Sequence, residues 1–203
     1  MEGVKEKQGQ LVFGLDIGTR SIVGTAGYLD GGRFHVLAQR SKEHETRAML
    51  DGQIHDIGKV GETISQVKEQ LEADLGRELT EVCIAAAGRV LRTVTTYAEH
   101  SFESDREITQ EDVYSLCTMG VEKAYEEFQN SNTDTDMKFY CVGYTAMRYY
   151  MNGYQMGNLE GHKAKNIAVD LIATFLPDDV VDGLYKAVEL AGLHVANLTL
   201  EPI

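Results

Sequence analysis

Cysteine is scarce in this chain: Cys83, Cys117 and Cys141, odd in number, far apart and each set in an apolar run. That excludes a disulfide framework, and no metal-ligand spacing links the three to the six histidines. They read as reduced core thiols of a cytosolic protein. Long apolar runs are missing too. None approaches the roughly 18 residues of a membrane span, and no signal peptide is expected. Basic residues are outnumbered, 19 against 32 acids, so the net charge is 19 − 32 = −13. Without a basic cluster the chain carries no nucleic-acid footprint and no patch for an anionic membrane surface. The charge reads as a solubility feature. What remains is 203 residues of ordinary apolar and charged content, enough for one large or two small domains with a proper core. The first ten residues, MEGVKEKQGQ, are polar and expected to fray.

Leu11–Leu29, LVFGLDIGTRSIVGTAGYL, organises the rest. Leu11–Ile17 is apolar except for Asp16; Gly18 and Thr19 break it, and a second β-prone run follows from Ile22 to Leu29. Strand, tight glycine turn and strand make a hairpin. An acid near the end of a buried strand costs free energy unless its charge is compensated. A hydrated cation compensates it, and bare backbone N–H groups at a glycine turn favour an anion beside it. Metal plus polyphosphate fits both halves. The alternative is that Asp16 and Thr19 only tie down the turn through side-chain hydrogen bonds.

Asp30-Gly31-Gly32 then opens a second hairpin into Arg33–Arg40, so the chain begins as three antiparallel strands. Lys42–His55 reads as a polar irregular loop. Its Glu43-His44-Glu45 trio lacks a helix to align ligands and reads as solvated. From Asp56 the period changes. Ile57, Val60, Ile64, Val67, Leu71 and Leu75 line one helix face, with Asp56 as N-cap and Gly76 as stop. Glu81–Gly88 reads as a buried strand ending in small residues, which admit either a ligand or a crowded strand crossing.

The order βββαβ needs one more helix and strand to complete a ribonuclease-H-like unit. Both come late: a helix capped by Asp178 or Asp179 and stopped at Gly192, then a strand over Val195–Leu200. The gap of about 85 residues far exceeds a normal connection and reads as an inserted domain. Within it, Val90–Tyr97 reads as a strand. Thr109-Gln110-Glu111-Asp112 resembles a capping box with Asp at the last position, heading a helical stripe of Val113, Leu116, Cys117, Ala124, Tyr125 and Phe128. Asn130–Asp136 reads as a loop, and Phe139–Tyr144 and Ile167–Phe175 as two more strands. Strand–helix–strand–strand closes a small sheet under one helix. Four tyrosines and three methionines fall between Tyr144 and Met156. On a loop-rich segment they suit a partner-binding face; the other reading is that they cover the insert's own sheet.

These pieces carry a resemblance. Gly14-Leu15-Asp16-Ile17-Gly18-Thr19 resembles the first phosphate motif of the actin, Hsp70 and sugar kinase superfamily. The βββα start with a strand–helix–strand–strand (SHS2) insert after the fourth strand resembles FtsA, the bacterial cell-division actin homologues. Met49-Leu50-Asp51-Gly52-Gln53-Ile54, Ala86-Ala87-Gly88, Asp105-Arg106-Glu107-Ile108-Thr109 with Glu111-Asp112, and Leu200-Glu201-Pro202 resemble further FtsA segments. The likeness spans nearly the whole chain. Arg20 and Ser21 stand where FtsA commonly carries a Lys, and Cys141-Val142-Gly143-Tyr144 replaces a familiar Val-Ile-Pro-Gln-x-Tyr segment. An FtsA-domain relative is therefore expected rather than the division protein itself.

The resemblance implies an α/β fold: an actin-type, ribonuclease-H-like subdomain from residues 1–88 and 177–203, interrupted by an α+β insert at 89–176. It implies ATP and Mg²⁺ as cofactors of the whole protein. Gly18, Thr19, Arg20 and Ser21 would meet the phosphates; Asp16, with Glu201 beside it, would face the metal through water. The superfamily's second phosphate strand, adenosine motif and second large domain have no counterpart, so a piece of a longer protein is expected. That piece is expected to bind ATP weakly at best and to turn none over; the whole protein would be at most a weak ATPase. Division or envelope-assembly proteins would dock on the insert, self-association is possible, and the whole protein would be cytoplasmic, at most peripheral at the inner membrane face. Two further readings stand: a pilus-assembly adaptor resembling PilM, and a sugar-kinase-type phosphotransferase, for which no substrate-base and aromatic cluster follows the first hairpin.

Overall fold

A computed structural model describes residues 9–50, 52–86, 91–131 and 138–200. The chain divides into two compact units, residues 1–90 with 179–203 and residues 91–178.

The first unit opens with β1 (Leu11–Ile17), β2 (Ser21–Asp30) and β3 (Arg33–Glu43), consecutive antiparallel strands. Along β1 the side chains alternate, burying Phe13, Leu15 and Ile17 and leaving Asp16 half-buried on the other face. The stretch Lys42–His55, expected to be irregular, is more ordered than that. β3 runs on to Glu43 because its backbone keeps pairing with β2 as far as Ser21, and a small hairpin of β4 (Met49–Leu50) and β5 (Gln53–Ile54) follows.

Helix α1 spans Ile57–Leu75. Asp56 caps it by accepting from the Lys59 N–H, and the left-handed Gly76 closes it by donating to the Glu72 carbonyl. Its stripe of Val60, Ile64, Val67 and Leu71 is fully buried. β6 (Glu81–Ala86) lies parallel beside β1; after α3 (Asp178–Leu190), β11 (His194–Leu200) lies parallel beside β6. The sheet order β11-β6-β1-β2-β3 is the expected ribonuclease-H-like arrangement.

The second unit has β7 (Arg92–Glu107), α2 (Gln110–Ser131), β8 (Phe139–Met151), β9 (Tyr154–Met156) and β10 (Lys163–Pro177), in the sheet order β7-β10-β8-β9. Thr109 and Asp112 form a complete capping box. The Thr109 N–H and hydroxyl donate to Asp112 Oδ2 at 2.9 and 2.7 Å, and the Asp112 N–H donates back to Thr109 Oγ1 at 3.3 Å. Leu116, Cys117, Ala124 and Phe128 of α2 pack against Ile167, Val169, Leu171, Ala173 and Phe175 of central β10. The tyrosine- and methionine-rich stretch is a hairpin here. β8 continues through Met151 and turns back at Asn152-Gly153, both with positive φ (49° and 86°), as a type I′ turn requires. Tyr149, Met151 and Met156 pack on the unit's core, while Tyr144 and Tyr154 stay exposed.

Candidate functional site

The candidate site is the β1–β2 turn. Asp16 sits between Val23 of β2 and Ala85 of β6, and its Oδ1 is buried with no hydrogen-bond partner among the described residues. A buried acceptor left unmet costs on the order of 1–3 kcal/mol, so this geometry is held against a local penalty. The Gly18 N–H donates to the Ser21 carbonyl at 3.0 Å and closes the turn. A Cβ on residue 18 would lie 3.0 Å from that same oxygen, a tight contact that a side chain there would have to relieve by a small shift. Thr19 and Arg20 are exposed, and their N–H groups donate to no protein acceptor among the described residues.

Three flanking contacts fix the turn. The Gly52 N–H donates to Thr19 Oγ1 at 3.2 Å, so the hydroxyl proton stays available. Arg20 reaches Glu43 at 3.2 Å, both side chains well exposed. His44 makes two bonds: its N–H donates to the Arg20 carbonyl at 3.0 Å, and its Nε2 lies 3.1 Å from the Gly18 carbonyl oxygen. His44 Nδ1 is the other buried side-chain polar atom without a partner among the described residues.

Chemically, the turn offers free N–H donors, a hydroxyl and an unmet carboxylate oxygen. That set fits a phosphate with a hydrated Mg²⁺, an ion that keeps its waters and takes one or two carboxylates. Among the described residues no three His, Cys, Asp or Glu side chains gather into a protein-only metal cluster. Gly18 contributes room rather than a donor, since its N–H is already bonded. Glu201, and the small-residue strand end at Ala87-Gly88, lie outside the described residues.

His44 was not legible as a site residue. Its neighbours in sequence read as a solvated trio, and the register that carries it to the turn depends on a bulge. β2 and β3 pair as Gly27 with Val36 but as Ala26 with Ala38, leaving Leu37 unpaired.

On the insert a shallow groove of about 470 Å³ is lined by Tyr97, Glu99, Tyr150, Asn152 and Asn166, among others. The Tyr150 hydroxyl donates to Asp170 Oδ2 at 2.6 Å and that of Tyr97 to Glu99 Oε2 at 3.1 Å; the two rings meet edge-on at 6.2 Å. Burial first, then Glu99, pushes the Tyr97 phenol up from its ordinary value.

No protein-family model matches the chain. It is 24% identical to the cell division protein FtsA of Streptococcus pneumoniae over 191 residues, covering 94% of this chain and 39% of that protein. The PilM–PilN type IV pilus biogenesis complex contains a similar structure, with a TM-score of 0.57 at 14% identity over 94% of this chain and 47% of that one. The chain thus spans less than half the length of the relatives it matches. Its fold is actin-like, that of the actin, Hsp70 and sugar kinase ATPase superfamily.

Proposed function

We propose that this chain is the nucleotide-binding N-terminal part of an FtsA-like, actin-related scaffold of bacterial cell division or envelope assembly. The observation that carries the reading is the unmet Asp16 Oδ1 beside a turn with two free N–H groups. The FtsA likeness over 94% of the chain supports the scaffold class.

In this reading the Thr19 and Arg20 N–H groups and the Thr19 and Ser21 hydroxyls hold the phosphates. Asp16 orients the water shell of Mg²⁺, which when bound offsets phosphate charge. Arg20 sits at the mouth of the turn, its charge shared with Glu43. The insert, with its tyrosine-lined groove and exposed Tyr144 and Tyr154, is the docking module for protein partners of a cytoplasmic assembly. Self-association belongs to the same reading. This chain alone binds ATP weakly and turns none over. Single-turnover hydrolysis by the purified chain would overturn that last point.

Calorimetric titration of Mg-ATP into the full-length parent protein, wild type beside Asp16→Ala, tests the core of the proposal. Heat of binding that disappears in the variant is expected; equal titrations, or none with wild type, would make Asp16 a turn residue only. A second reading then takes over, a pilus-assembly adaptor, favoured by the structural match to the PilM–PilN complex over 94% of the chain.

A further inference from the structure

Among the described residues, two buried side-chain polar atoms lack a partner, Asp16 Oδ1 and His44 Nδ1. Both belong to residues flanking the Gly18 turn. Asp16 precedes it on β1; His44 follows the end of β3 and bonds the turn twice. Two unmet groups at one turn mark a place where the fold gives up local stability for geometry.

The Gly18 carbonyl oxygen can only accept, so the His44 nitrogen 3.1 Å away must donate; in the neutral ring that is the Nε2–H tautomer, with Nδ1 a bare lone pair. The Gly18–Thr19 peptide is trans, like every described peptide bond. In a trans peptide the C=O and the following N–H point in opposite directions. Holding the Gly18 carbonyl toward the imidazole therefore aims the Thr19 N–H away from the imidazole, and Thr19 itself is exposed. The second bond, from the His44 N–H to the Arg20 carbonyl, fixes the far side of the turn. With the Gly18 N–H bonded to the Ser21 carbonyl, the Thr19 and Arg20 amides are the ones left without an acceptor among the described residues.

We propose that His44 is a positioning residue of the anion site: its Nε2–H pins the Gly18 carbonyl and so presents the Thr19 N–H to a phosphate oxygen. This rests on the nucleotide reading above, but its structural half stands apart from it. Nothing here asks His44 to touch the ligand.

The test uses this chain labelled with ¹⁵N. In the unliganded wild type, imidazole spectra at pH about 8 are expected to show His44 as the Nε2–H tautomer. Mg-ATP titrated in should shift the Thr19 amide. His44→Ala should weaken that response about tenfold, the usual scale for losing one ordering hydrogen bond. His44→Gln, which keeps an N–H donor at similar reach, should stay within about threefold of wild type. An Nδ1–H tautomer, or a His44→Ala response equal to wild type, overturns the proposal. Should wild type show the Nε2–H tautomer but no Mg-ATP response, the nucleotide reading falls with the phosphate role. His44 is then a structural pin of the turn. If His44→Ala fails to fold, an Nδ1–H tautomer in wild type, or a His44→Gln response weakened by more than about threefold, still overturns the proposal.

Discussion

Asp16 shows why single residues in this protein must be read against both stability and binding. Its Oδ1 is buried and unpaired among the described residues, so removing the carboxylate removes a desolvation penalty rather than a contact. Asp16→Ala is expected to melt no lower than wild type, and up to about 1 kcal/mol higher in denaturant titration, while losing Mg-ATP binding. A variant that is clearly destabilised would mean that the carboxylate supports the turn after all. The acid's oddity was visible in the sequence, because an ionisable group in an apolar strand always needs an account. That its oxygen has no partner among the described residues was not visible, since hydrogen-bond partners come from distant segments.

At the scale of elements, the capping box before α2 carries a pH dependence. Hydrogen bonds from the Thr109 backbone and then the Thr109 hydroxyl hold the Asp112 carboxyl below its ordinary value of 3.8, with Arg106 adding to them against some burial. A carboxyl lowered on folding stabilises the fold at pH above its unfolded value, and that gain is lost as pH falls through the folded value. Asp112→Ala is expected to cost about 1 kcal/mol at pH 7 and to flatten the acid limb of the stability profile below about pH 4. Urea titrations at pH 7 and pH 3 check this; an equal loss at both would leave the cap without an electrostatic part. The box was legible because it is local, three residues apart.

The bulge in β3 belongs to the same scale and was not legible. A Cβ on Gly27 would sit 2.2 Å from the His35 carbonyl oxygen, so the close approach there depends on glycine. Gly27→Ala is expected to cost about 2 kcal/mol, lowering Tm by roughly 4–8 °C for a chain of this size. It should also move the His44 ring signals, because the register that delivers His44 to the turn runs through that bulge. An unchanged Tm with unmoved His44 signals would show that β3 absorbs the methyl elsewhere. The Asn152-Gly153 hairpin is the opposite lesson. Its signal was in the sequence, a strong two-residue turn between β-prone runs, and the density of tyrosine and methionine drew the reading toward a loop instead.

For the whole molecule, a net charge of −13 on 203 residues makes the compact state repel itself at low ionic strength. Raising NaCl from about 10 to about 200 mM is expected to raise Tm by about 2–4 °C as the Debye length shrinks from about 30 to under 10 Å. A fall in Tm would mean that the surface ion pairs, such as Arg40–Asp74 at 2.7 Å, outweigh the repulsion. No helix among the described residues is long and apolar enough to cross a membrane.

The sequence by itself determined most of the elements and their order, though not the short β4, β5 and β9: three opening strands, the capped α1 with its apolar stripe, the late α3 and β11, and a strand–helix–strand–strand body between. Side-chain period, caps and glycine turns are local, so they can be read from neighbours a few residues apart. Only the tertiary structure decided which amides at the Gly18 turn remain free and which side chain holds them. Nearly every residue of β3 is exposed, so no buried alternation fixes its register in advance. A one-residue bulge could then place His44, rather than its neighbour, opposite the turn.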